Sequence, residues 1–126
     1  MQPFRTYEQR IQKEEEMLVK VFIKRQVEKG KEMEFLSLLK KLRTLAMNHE
    51  GYISGETLIS IEDPQSVIVI STWQSIEDWT EWKESEERKR ADGLLEALQV
   101  EPTSYEPYVF SKYWLAVQKG FPESLG

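Results

Sequence analysis

The chain has 126 residues, 31% of them charged, with a net charge of −5, one histidine and no cysteine. That length suits a single domain. The lack of cysteine excludes disulfides, thiolate nucleophiles and Cys-ligated metal sites, and the weakly acidic balance argues against a phosphate-backbone partner.

Residues 1–16 are mostly polar and read as an N-terminal arm. They lack the apolar stretch of a secretory leader, and no run in the chain approaches the ~18 apolar residues of a membrane span, so the expected location is cytoplasmic with no membrane partner. Residues 17–26 alternate as a strand, with Val19, Val21 and Ile23 on one face and Lys20, Phe22 and Lys24 on the other. Gly30 closes the following turn. From 31 to 49 the chain predicts a helix, because Phe35, Leu38, Leu39, Leu42, Leu45, Ala46 and His49 form one stripe and Gly51 follows as a stop signal. His49 reads as a helix-end side chain packed at the rim of that stripe.

Residues 52–61 predict a second strand, in which Gly55 signals a bulge or a close backbone approach. Asp63-Pro64 makes a turn into a third strand, where Val67, Ile68, Val69 and Ile70 form a β-branched run suited to a strand covered on both faces. Ser75 and Asp78 have the spacing of a capping box and start a second helix, with Trp79 and Trp82 on one of its faces. Arg88-Lys89-Arg90 follows Glu84, Glu86 and Glu87, so it reads as solvated helix rather than a nucleic-acid surface. A weakening near Ala91-Asp92-Gly93, a loop bracketed by Pro102 and Pro107, a last strand over 108–115 and a tail over 116–126 complete the expectation.

The order strand, helix, strand, strand, helix, strand predicts an α+β, ferredoxin-like βαββαβ domain over 17–115, an antiparallel sheet with helices on one side. The other side should then be polar at every second position, yet the third strand is apolar on both faces. A second copy of the chain is the simplest cover, so a homodimer of barrel form is expected. An apolar cleft between sheet and helices would draw its lining from Trp79, Trp82, Phe22, Phe35 and Tyr52 and suit a small molecule.

Gly30, Glu50-Gly51-Tyr52, Asp63-Pro64, Thr72-Trp73-Gln74-Ser75 and Trp82-x-x-Ser85 occur in an order that resembles the antibiotic biosynthesis monooxygenase family over roughly residues 17–110. The resemblance implies a dimeric α+β barrel and, in one branch, a cofactor-independent monooxygenase that uses O2 on a phenol or quinol. There the substrate, as a phenolate, reduces oxygen while the pocket orients it. Under that reading Trp82 stacks on the ring, Tyr52 donates a hydrogen bond and Arg88 favours the phenolate, with no metal and no organic cofactor. The heme-degrading branch of the same family would need an Asn near Ile23 and a ligating His near Asp92 beside Trp82. Only the tryptophan is present, so heme is disfavoured, and His49 would require another pose. A non-catalytic dimeric module that binds a small ligand is the alternative from a different class.

Overall fold

A computed structural model describes residues 17–120. The expected arm over 1–16 and residues 121–126 of the tail lie outside them. The elements are β1 (Val19–Gln26), α1 (Glu32–Met47), β2 (Tyr52–Ile59), β3 (Ser66–Trp73), α2 (Ile76–Glu84), α3 (Glu86–Glu96) and β4 (Ser104–Val109), then a 3-10 turn (Ser111–Tyr113) and the short α4 (Trp114–Gln118). The sheet order is β2-β3-β1-β4 with every pairing antiparallel. This is the expected ferredoxin-like arrangement.

Alternation along β1 and β3 decides what each face does. Val19, Val21 and Ile23 pair across to Trp73, Ser71 and Val69 and turn toward the helices. Phe35, Leu39, Leu42 and Ala46 of α1, Ile76, Trp79 and Trp82 of α2, and Leu95 of α3 close over them as one core. The opposite face carries Phe22 paired with Ile70 and Lys24 paired with Ile68. Tyr108 of β4 meets Phe22 edge-on, with ring centroids 5.1 Å apart. The polar groups of that face bond among themselves, Lys20 Nζ to Thr72 Oγ1 at 3.1 Å and Lys24 Nζ to Glu106 Oε1 at 3.0 Å.

Local chemistry sets the element ends. Asp63 Oδ1 accepts from the Gln65 N–H at 3.1 Å and shapes the β2–β3 turn. Ser75 Oγ accepts from the Asp78 N–H at 3.1 Å, as the capping spacing predicts. The return bond differs from a full capping box: the Ser75 hydroxyl itself donates to Asp78 Oδ2 at 2.9 Å, because the shorter Asp meets the hydroxyl first.

Two expectations are corrected. The second helical stretch breaks at Ser85 rather than near Gly93. The Ser85 hydroxyl donates to the Trp82 carbonyl at 2.8 Å and accepts from the Arg88 N–H at 3.2 Å, so one side chain ends α2 and starts α3. The last strand is Ser104–Val109, not 108–115. Pro107 lies within it opposite Val21, on an edge strand where the missing N–H has no neighbour to serve. The residues expected as strand beyond Val109 instead form the 3-10 turn and α4. No helix among the described residues is long and apolar enough to cross a membrane.

Candidate functional site

Trp73, the last residue of β3, is the centre of an aromatic cluster and is fully buried. Its indole N–H donates to Ser71 Oγ at 3.1 Å, which satisfies the one polar group the ring carries. The Trp82 ring stacks beside it with centroids 6.3 Å apart, Trp79 tilts against it at 6.0 Å, and Tyr52 meets it edge-on at 5.4 Å. Both tryptophan motifs thus have a physical reading. In Trp73-x-Ser75 the tryptophan ends β3 and the serine caps the start of α2, and in Trp82-x-x-Ser85 the tryptophan lies in the last turn of α2 and the serine caps its end.

Beside this cluster a partly open pocket runs between the sheet and α1, with ≈ 60 Å³ of cavity space inside ≈ 490 Å³ that includes open solvent at its mouth. Trp73, Trp79 and Trp82 form one wall, Leu39, Leu42 and Ala46 of α1 another, and Ile23 and Val69 the floor. The apolar, aromatic lining suits an aromatic group entering from the open mouth. Among the expected residues, Trp82, Tyr52 and Trp79 are brought together here.

The polar groups of the pocket are few. The Tyr52 hydroxyl oxygen is buried and has no hydrogen-bond partner among the described residues. A phenol rarely stays unpaired away from water, because the lost hydrogen bond costs free energy. Its position depends on Gly55, since a Cβ there would lie 2.6 Å from the hydroxyl oxygen. The strand register slips between Tyr52 and Ser54, which turns the Tyr52 ring toward the helices. Arg43 of α1 lines the same pocket, and its guanidinium donates a short hydrogen bond to the Gly55 carbonyl.

The other expected residues lie elsewhere. Phe22 is on the opposite face of the sheet, because its neighbours Val21 and Ile23 take the helix-covered face. Phe35 is fully buried in the core beneath α1 and is not on the pocket wall. Arg88, expected as solvated helix or as a group turning into the pocket, is only 8% exposed and does neither. It donates from Nε to the Lys83 carbonyl at 2.8 Å and from Nη1 to the Tyr105 hydroxyl at 2.8 Å. It shares Asp92 with Arg25, whose Nη2 is 2.7 Å from Asp92 Oδ1. Burial, joined by the Asp92 carboxylate, pushes the Tyr105 phenol above its ordinary range, against the opposing pull of the two arginines.

His49 sits just past α1 with its ring 5.4 Å from Trp82 and 6.2 Å from Trp73, and its Nδ1 is buried without a hydrogen-bond partner. The residues at the heme-degrading positions do not fit that group. Ile23 has no polar side chain, and Asp92 is a carboxylate committed to two buried arginines. Among the described residues no three His, Asp or Glu side chains converge as a metal-binding group.

A family model for antibiotic biosynthesis monooxygenases matches residues 18–93. The chain belongs to this family. The match spans β1 to the middle of α3 and so contains all residues of the pocket. Solved structures agree on the fold. A conserved protein of Methanosarcina mazei Go1 is 24% identical, with a TM-score of 0.69 over 73% of this chain and 91% of that one. A candidate antibiotic biosynthesis monooxygenase of Nitrosomonas europaea is 14% identical, with a TM-score of 0.69 over 76% of this chain and 92% of its own. SnoaB, a cofactor-independent oxygenase from Streptomyces nogalater, is 15% identical, with a TM-score of 0.67 over 73% of this chain and 91% of its own. No curated protein sequence matches significantly.

Sequence reasoning sets Arg43 with Lys40 and Lys41 on the side away from the apolar stripe, but the structure brings its guanidinium to the pocket, and Gly55 and Trp73 are likewise not among the expected site residues. A signal for Arg43 exists: it stands four residues after Leu39 and three before Ala46, on the flank of the apolar stripe.

Proposed function

We propose that this protein is a monooxygenase that uses O2 on a small aromatic phenol or quinol without a metal or organic cofactor. The carrying observation is the tryptophan-walled pocket with the unpaired Tyr52 hydroxyl inside it. Family membership and the fold shared with SnoaB support the reading.

The chemistry such a pocket assists is balanced by the substrate alone. A phenol and O2 give a quinone and water: one oxygen atom enters the ring, the other leaves as water, and the ring supplies all four electrons. The protein would hold the ring flat against Trp82, donate a hydrogen bond from Tyr52 to an oxygen that gains charge, and keep water away from the reacting carbon.

We also propose that the working form is a homodimer in which two open sheet faces pack together. Phe22, Ile68, Ile70 and Tyr108 supply an apolar surface there, and α4 adds exposed Trp114 and Leu115 beyond the end of β4.

Tyr52→Phe tests the reaction. The hydroxyl makes no bond in the structure, so the fold should be at least as stable without it. Oxygen uptake with a panel of quinols and polycyclic phenols should fall by about 100-fold, the scale of one lost donor to a developing oxyanion. Oxygen uptake by the unaltered protein that Tyr52→Phe leaves unchanged would remove Tyr52 from the mechanism. Tight ligand binding with no uptake by either protein would leave a small-ligand-binding module in place of an enzyme.

A further inference from the structure

Arg43 and Tyr52 reach the same spot from different elements. A Cβ built on Gly55 would lie 2.6 Å from Tyr52 Oη and 3.7 Å from Arg43 Nε. The hydroxyl is buried and unpaired. The guanidinium is held by one hydrogen bond, to the Gly55 carbonyl, and among the described residues it makes no ion pair. A cation and a free donor thus flank the opening of an otherwise apolar pocket, with the glycine keeping space clear between them.

The other charged groups of the lining do not cancel this arrangement. Arg25 is tied to Asp92 at 2.7 Å and to Gln99 and Thr103 through its other terminal nitrogen, so its guanidinium is already bonded within the protein. Glu56 pairs in register with Ile70, which assigns its side chain to the opposite sheet face. A neutral ligand would use Tyr52 and leave the guanidinium idle. A ligand with an anionic oxygen would satisfy both groups, and a hydrogen bond between ions is about twice as strong as a neutral one.

We infer that the ligand of this pocket is an aromatic compound bearing an anionic oxygen, and that Arg43 together with the Tyr52 hydroxyl selects for that charge. The inference rests on the pocket being the functional site, though not on the oxygen chemistry proposed for it. Arg43 is a specificity-determining residue in this reading. It takes the part that sequence reasoning assigned to Arg88, which its own buried network holds elsewhere.

The test is calorimetric titration of the full chain with 2-naphthoate and with its neutral isostere 2-naphthamide, repeated on Arg43→Gln and Arg43→Lys. The unaltered protein should bind the naphthoate at least about tenfold more tightly than the amide. Arg43→Gln should erase that preference by weakening naphthoate binding far more than amide binding, and Arg43→Lys should restore part of it. An additional arm, 2,4-dinitro-1-naphthol, is ionised at neutral pH and presents the anion as a phenolate. Arg43-dependent binding of it alone would identify a phenolate site, and of the naphthoate alone a carboxylate site. Equal affinity for acid and amide, with no Arg43-dependent binding of the naphtholate, would overturn the charge selection and leave the pocket standing. So would a preference that survives Arg43→Gln. Failure of all three probes to bind would overturn the pocket reading itself, and this inference with it.

Discussion

A methyl group at position 55 would meet the Tyr52 hydroxyl at 2.6 Å, closer than unbonded atoms tolerate. Gly55→Ala therefore moves the hydroxyl without removing it. The φ of Gly55 is not positive, so alanine brings no backbone strain there. Thermal unfolding should change little, while affinity for an aromatic ligand should fall by about tenfold, the equivalent of one well-placed hydrogen bond. An unchanged affinity would show that the hydroxyl does not face the ligand. Gly55 was legible in the sequence only as a position of close approach. The identity of the approaching group was not, because Tyr52 reaches it through a register slip that no local pattern announces. The same holds for Arg88. Its charge suggested solvent, but Asp92 on the same helix, Tyr105 on β4 and the Lys83 carbonyl converge on it.

The joint between α3 and the sheet holds a cluster of buried charges. Arg25 of β1 and Arg88 of α3 are both under 10% exposed, and Asp92 is the carboxylate shared between them. Asp92→Ala would leave two buried guanidinium groups uncompensated and should destabilise the protein by about 3–5 kcal/mol in denaturant unfolding. A cost below about 1 kcal/mol would mean that water enters the site. Tyr105 in this network titrates above its ordinary value of 10.0 when folded. The unfolded chain ionises first as pH rises, so the contribution is fully present below that range and is lost as pH climbs through it. Stability measured from neutral pH into the tyrosine range should decline, and Tyr105→Phe should flatten the decline.

The two sheet faces differ in what covers them. One lies under α1, α2 and α3, and the other exposes Phe22, Ile70 and Tyr108 between ion-paired polar residues. Light scattering at micromolar concentration should give the mass of two chains. Ile70→Lys, which places a charge at the centre of the open face, should shift that mass to one chain. A monomeric mass for the unaltered protein would sink the dimer proposal, and so would a dimer indifferent to Ile70→Lys.

The chain by itself determined the order of elements, the faces of β1, the stripe of α1 and the β2–β3 turn. Each follows from a periodicity or a local hydrogen bond within a few residues, and such signals survive without knowledge of neighbours. It also carried the ordered motifs of the family, since the Trp-Ser spacings encode anchors and caps at the junctions of consecutive elements. Tertiary structure decided the rest. β4 falls where it does because an edge strand accepts Pro107, a fact about sheet order and not about local propensity. The pocket is assembled the same way. Arg43 from α1, Tyr52 and Gly55 from β2 and the three tryptophans of β3 and α2 meet only when the sheet and helices pack. Arg88, adjacent in sequence to the motifs, is drawn off by Asp92 on its own helix and by the Tyr105 hydroxyl that arrives from β4. Electrostatic and steric partners act through space, and at positions far apart in the chain no one-dimensional pattern records which of them will touch.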